Sequence, residues 1–265
     1  MDERPIGLFD SGFGGLTVAR AVIDLLPDEN LVYIGDTGRY PYGPRPLDEV
    51  SAFARQITAK LVHEHDVKFV VVACNTAAAA GVDDPGVPVL SVIEPGVRSA
   101  LRATVSGRVG VIGTVGTVSS GAYQRAFAAA DPDGRIDLTC AACPGFVEFV
   151  ERGETDSDQV YVLAERLLAP VREAKVDTLL LGCTHYPFLA RTISDVVGRD
   201  VVLVSSADET AFELRALLGR LGLRRSGPPP GSHTWISSGD VRTFRDLGRR
   251  LLGPEIDTVQ AWDPG

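Results

Sequence analysis

Two kinds of apolar pattern alternate along the chain. Short, mostly apolar runs at residues 6–9, 31–34, 68–73 and 87–92 read as strands, and stretches at 16–26, 48–65 and 94–103 read as helices, the second clearly amphipathic. The order then restarts. A strand at 108–112, the turn Gly113-Thr114-Val115-Gly116-Thr117 and a helix over 118–130 are followed by strands at 136–139, 176–181 and 201–204 and helices at 157–173 and 187–197. A further helix at 207–221, a connector over 224–231 with three successive prolines, a strand at 233–237, a helix at 240–252 and an edge strand at 256–259 complete the chain. Strands alternating with helices predict parallel sheets covered on both faces. The expected fold class is α/β: two similar doubly wound domains of the flavodoxin-like kind, related by a pseudo-twofold and facing each other across a cleft. The tail is too small to fold alone and is expected to rejoin the first half. That gives a discontinuous first domain, 1–96 plus 207–265, and a second domain, 97–206.

Two strands end in the same way. The first is Val70-Val71-Val72-Ala73-Cys74-Asn75-Thr76 and the second is Leu179-Leu180-Leu181-Gly182-Cys183-Thr184-His185. Open α/β sheets bind ligands outside the carboxyl ends of their strands, where both cysteines would lie. A helix beginning at such a cysteine would lower the thiol pKa through its N-terminal N–H groups and dipole. One cysteine in this setting is ordinary core; a matched pair, each followed by polar residues, points to chemistry.

Two glycine- or turn-rich stretches sit at other strand ends. Asp10-Ser11-Gly12-Phe13-Gly14-Gly15 has the outline of an anion cradle, but its glycine spacing fits neither G-x-G-x-x-G nor a P-loop, and Asp10 would repel phosphate. The alternative is an acidic residue at a site rim, with glycines that bring a ligand close to the backbone. Gly35 to Pro44 is a turn-rich loop that suits a functional edge or a packed surface loop equally.

Composition narrows the class of partner. Of 265 residues, 45% are hydrophobic and 23% charged, which suits a globular protein with a sizeable core. A net charge of −9 argues against a nucleic-acid surface, and Arg224-Arg225 is too short to change that. The start Met1-Asp2-Glu3-Arg4-Pro5 has no signal-peptide pattern and no apolar run is long enough to span a bilayer. A cytoplasmic protein with reduced cysteines and no membrane partner is expected.

Other chemistries fit the residues less well. Cys140-Ala141-Ala142-Cys143 is a C-x-x-C, but no second pair completes a zinc site, and no metal is expected. A Cys–His nucleophile built on Cys183 and His185 leaves Cys74 unused. Pyridoxal phosphate needs a Schiff-base lysine, and Lys60, Lys68 and Lys175 lie within a helix or at strand starts, away from the cysteines. Proton removal from one face of a carbon and return to the other uses both thiols, one as base and one as acid.

Asp10-Ser11-Gly12-Phe13-Gly14-Gly15-Leu16, Asp36 with Tyr40-Pro41-Tyr42-Gly43, Ala73-Cys74-Asn75-Thr76 and Gly182-Cys183-Thr184-His185-Tyr186-Pro187 together resemble the glutamate racemase family, over about residues 5–222. Within the aspartate/glutamate racemase superfamily, the flanking motifs favour the glutamate branch. The resemblance implies cofactor-independent interconversion of L- and D-glutamate, supplying D-glutamate for peptidoglycan. It implies that Cys74 exchanges the proton of the D enantiomer and Cys183 that of the L, assisted by Asp10 and His185. Glu151 matches a further family acid, with Glu148 close by. Ser11, Tyr42, Gly43, Asn75, Thr76, Thr114, Thr117 and Thr184, with Asp10 and His185, match substrate contacts. A homodimer is expected.

Overall fold

In the computed structural model, which describes residues 2–228 and 230–265, the strands form two all-parallel sheets. The strands are β1 Ile6–Asp10, β2 Leu31–Gly35, β3 Phe69–Val72, β4 Val89–Ser91, β5 Arg108–Gly113, β6 Asp137–Ala142, β7 Thr178–Gly182, β8 Val202–Ser205, β9 His233–Ser237 and β10 Val259–Ala261. The first sheet runs β10-β9-β2-β1-β3-β4 and the second β6-β5-β7-β8. The C-terminal strands β9 and β10 thus extend the first sheet, with β9 paired directly on β2. Pro229, in the 224–231 connector, lies outside the described residues.

The continuous apolar runs are explained by burial on both faces. In the first sheet Leu8, Phe69 and Val71 pack under the helices Leu16–Leu25 and Ala207–Leu221, while Phe9, Val70 and Val72 pack under Leu47–His65 on the other side. In the second, Leu179 and Leu181 face Asp158–Leu167 and Ala190–Val197, and Val109, Val111 and Leu180 face Ile93–Ala103 and Ala122–Ala130. Truncating one of these fully buried leucines to alanine should cost about 2–5 kcal/mol. Helix Ile93–Ala103 packs on β7 and β8 and also meets Ala207–Leu221, where Arg98 pairs with Glu213 and Arg102 with Glu209. Among the described residues no helix is long and apolar enough to cross a membrane.

Several elements differ from the sequence expectation. The helix expected at 118–130 is two, Val115–Ser119 and Ala122–Ala130, because Gly121 takes a left-handed φ of +70° between them. The helix expected at 157–173 divides at Leu168, where Pro170 suits the first turn of Ala169–Glu173 but not a helix interior. The strand expected to stop at 139 continues through Cys140 to Ala142. The last strand lies at 259–261, not 256–259, because Ile256 is buried in the core beside Gly248. A helix not read from sequence, Phe146–Arg152, follows β6.

Candidate active site

Parallel pairing brings the carboxyl ends of all strands in a sheet to one edge. The edges of the two sheets meet at a cleft. Asp10 and Ser11 reach it from the end of β1, Tyr42 and Gly43 from the loop after β2, and Cys74, Asn75 and Thr76 from the end of β3. Thr114 follows β5, and Cys183, Thr184 and His185 follow β7. These are the sequence-selected residues, separated by up to 175 positions and collected by topology.

Cys74 caps a short helix, Asn75–Ala80: its sulfur accepts from the Ala77 N–H at 3.5 Å and lies 3.6 Å from the Ser11 hydroxyl. The expected lowering of this thiol's pKa does not occur. Burial pushes it well above the usual range, the Asp10 carboxylate adds to that, and the bonds from Ala77 and Ser11 oppose without winning. A helix of six residues is too short to offset full burial. Cys74 therefore rests as a neutral thiol. Asp10 is itself 1% exposed; its Oδ2 accepts from the Gly15 N–H at 2.7 Å, and its Oδ1 has no protein partner.

Cys183 has different company. A 3-10 turn, Tyr186–Leu189, rather than an α-helix follows it. Its sulfur lies 3.9 Å from His185 Nδ1, and His185 Nε2 lies 3.1 Å from Glu151 Oε1. Burial works against charge on His185, but the bonds to Cys183 and Glu151, with the Asp10 charge, outweigh it and lift the pKa to about 10. At neutral pH the ring is an imidazolium donating to the sulfur and to the carboxylate. Glu151 comes from the unread helix Phe146–Arg152 and stands behind His185, while exposed Glu148 lines the cleft wall.

Close contacts join the two edges. Gly116 N–H donates to Gly43 O at 2.8 Å, and the hydroxyls of Thr76 and Thr114 lie 3.0 Å apart. A Cβ at Gly14 would collide with the His185 ring and the Thr184 hydroxyl. Gly14 thus makes room for the opposing lobe, where the sequence reading had assigned the glycines to close approach of a ligand.

Thr117 does not line the cleft. It is fully buried behind Thr76 and Thr114, hydrogen-bonded to both, because the turn after β5 points its side chain inward as the next turn of helix begins. Asp36 was not selected from sequence as a site residue, yet it accepts from the Tyr42 hydroxyl, from Arg39 Nε at 2.8 Å and from Ser238 Oγ at 2.5 Å, which braces the Tyr42 loop. Tyr40, Cys143 and Val147 also line the cleft. Tyr40 falls in the turn-rich stretch and in the motif that carries the family resemblance, and Cys143 in the C-x-x-C, but neither was selected as a site residue. Cys140 and Cys143 fall into core clusters on opposite faces of the second sheet, since β6 runs through Cys140 with a two-residue period. Burial pushes their thiols up, to about 11 and about 12. Among the described residues no three His, Cys, Asp or Glu side chains are grouped to hold a metal ion. Among the described residues no lysine lines the cleft: Lys68 is buried against Glu29 at 2.6 Å, at the amino edge of β3, and Lys60 pairs with Glu64 along a helix.

The sequence model of the Asp/Glu/Hydantoin racemase family matches residues 16–214. A glutamate racemase of Parafrankia sp. (strain EAN1pec) is 53% identical over 98% of this chain and 94% of its own. Glutamate racemase isoform RacE1 from Bacillus anthracis superposes with a TM-score of 0.89 at 38% identity, covering 99% of this chain and 98% of that one. The glutamate racemase from Francisella tularensis, solved in complex with D-glutamate, superposes with a TM-score of 0.91 at 30% identity, covering 100% and 99%. With its paired strand-end cysteines opening onto one cleft, the chain belongs to the Asp/Glu/Hydantoin racemase family.

Proposed function

We propose that this protein interconverts L- and D-glutamate by moving the Cα proton between Cys74 and Cys183. The observation that carries the reading is the pair of thiols on one cleft with opposite partners, Asp10 beside one and the His185 imidazolium beside the other. In the D-to-L direction Cys74 takes the Cα proton. Its own proton must first leave, and the unpaired Oδ1 of Asp10 is the acceptor in that arm. Cys183 delivers a proton to the opposite face and is resupplied by His185, whose charge Glu151 holds in place. The L-to-D direction runs the same steps backward: His185, left neutral by its donation, takes the Cys183 proton, Cys183 takes the Cα proton, and Cys74 delivers its proton to the opposite face and is resupplied by Asp10. The hydroxyls of Ser11, Thr76, Thr114 and Thr184, with backbone N–H groups, can hold two carboxylates without a bare cation. The chemistry is read as independent of pyridoxal phosphate because every lysine considered lies away from the cleft lining.

The names of the relatives support glutamate as substrate and supply of D-glutamate for peptidoglycan as the role. A homodimer rests on the family resemblance. The lobes are read as 1–96 with 207–265 and 97–206, a division supported by the return of β9 and β10 to the first sheet. The packing of Ile93–Ala103 on the second sheet favours moving the boundary to about residue 92.

The test is incubation with L-glutamate and no added cofactor, followed by chiral separation. D-glutamate should appear, with deuterium at Cα when the solvent is deuterated water. Tight glutamate binding without Cα exchange would instead mark a binding protein of the same shape.

A further inference from the structure

Asn75 has only half of its amide satisfied. It follows Cys74 directly, is 3% exposed and lines the cleft. Its Nδ2 donates to the Tyr123 hydroxyl at 2.7 Å, while its Oδ1 is buried with no protein partner. Tyr123 belongs to the other lobe, at the start of helix Ala122–Ala130, and is 1% exposed. Its ring rests on Gly182, where a Cβ would stand 2.8 Å from Cε2. Gly182 ends β7 and immediately precedes Cys183. One side chain therefore packs on the strand that delivers Cys183 and bonds the residue beside Cys74.

A primary amide can offer either end to a ligand. The nitrogen suits a carboxylate and the oxygen suits an ammonium, and the orientation is fixed by what the amide already bonds. Burial keeps the Tyr123 phenol protonated and neutral. Its oxygen accepts from Asn75 Nδ2, and that bond commits the nitrogen. The free oxygen of Asn75 joins the free Oδ1 of Asp10 as a second buried acceptor among the cleft residues. Two unpaired buried acceptors are costly unless a donor arrives. The α-ammonium of an amino acid brings three N–H donors.

We infer that Tyr123 is a positioning residue: its hydroxyl orients the Asn75 amide so that Oδ1 accepts the α-ammonium of the substrate. This rests on the racemase reading above. No local motif marks Tyr123, which lies 48 positions from Asn75.

The test is a double-mutant cycle on the racemisation of L-glutamate with Tyr123→Phe and Asn75→Ala. Phenylalanine keeps the ring on Gly182 and removes only the hydroxyl. Tyr123→Phe should raise KM about three- to tenfold, the loss of one hydrogen bond, with kcat changed little. In the Asn75→Ala background the same substitution should change kcat/KM by less than about twofold. An equal loss in both backgrounds would show Tyr123 acting through packing and would overturn the inference, as would an unchanged KM in Tyr123→Phe. If the phenylalanine protein does not fold, Tyr123→Leu must show the same non-additivity with Asn75→Ala. A wild-type protein inactive on glutamate overturns the racemase reading and this inference with it. An active wild type with an indifferent Tyr123→Phe overturns this inference alone.

Discussion

The arms around Cys74 and Cys183 occupy matching places, one past each of two central parallel strands, yet their surroundings are opposite. Cys74 has a carboxylate nearby and full burial, so its proton is held tightly. Cys183 has an imidazolium at hydrogen-bond distance, itself braced by Glu151. The backbone repeats and the electrostatics do not. Proton transfer in both directions across one carbon needs one arm that accepts when the other donates, and two identical arms would compete for the same role. Symmetry of fold supplies opposed faces; asymmetry of neighbours supplies opposed tendencies.

The largest expected effect removes either thiol. Cys74→Ser and Cys183→Ser should each abolish most racemisation, because serine is a much weaker acid of nearly the same shape. The arms should then separate in deuterated water: the Cys183→Ser protein exchanges Cα–H of D-glutamate only, and the Cys74→Ser protein that of L-glutamate only. Full racemisation surviving in either variant, measured by chiral chromatography, would break the two-arm comparison. Next come the neighbours. Asp10→Asn and His185→Asn should lower kcat about a hundred- to ten-thousandfold, more than they raise KM. The overall loss in kcat/KM must be the same in both directions, because the enantiomers have equal free energy, so the arms are separated by Cα exchange in deuterated water: Asp10→Asn should slow exchange of D-glutamate without racemisation more, and His185→Asn that of L-glutamate. Equal slowing of both exchanges would mean that the asymmetry around the thiols has no kinetic role.

How much of this the sequence shows depends on the range of the forces involved. The two cysteine strands were legible because a strand buried on both faces is a local pattern, and Cys74, Cys183, Asp10 and His185 sit beside such strands. The broken helices at Gly121 and Leu168 were missed because apolar period continues across the break. Phe146–Arg152 was missed because seven residues mixing aromatic, β-branched and acidic types carry no clear period, so Glu151 could be assigned only by resemblance. The thiol pKa was misjudged for a similar reason. A helix start is visible in sequence, whereas full burial of Cys74 beside Asp10 depends on residues 64 positions apart. Thr117 shows the same limit: it has the right residue type next to a site turn, but the turn buries it.

The smaller prediction sharpens the Cys183 arm through Glu151. Its bond to His185 helps to hold the ring charged despite burial. A folded-state pKa raised from 6.5 to about 10 contributes stability that is fully present below about pH 6.5 and lost as pH rises through about 10. Wild type should therefore lose stability relative to His185→Asn between neutral pH and pH 10 in denaturant titrations. Replacing Glu151 by glutamine removes the negative partner and lowers the His185 pKa, so the alkaline limb of racemisation should move toward neutrality. The rate at neutral pH should fall about ten- to a hundredfold, the range for a hydrogen bond to a charged group. Glu148 lies three residues away on the same helix and lines the cleft, but it is exposed and does not touch His185. Glu148→Gln should change the rate by less than about twofold and leave the pH profile in place, since exposed charges are screened. Equal pH shifts from the two substitutions would mean that general negative charge on this helix, rather than the Glu151 bond, keeps His185 an imidazolium.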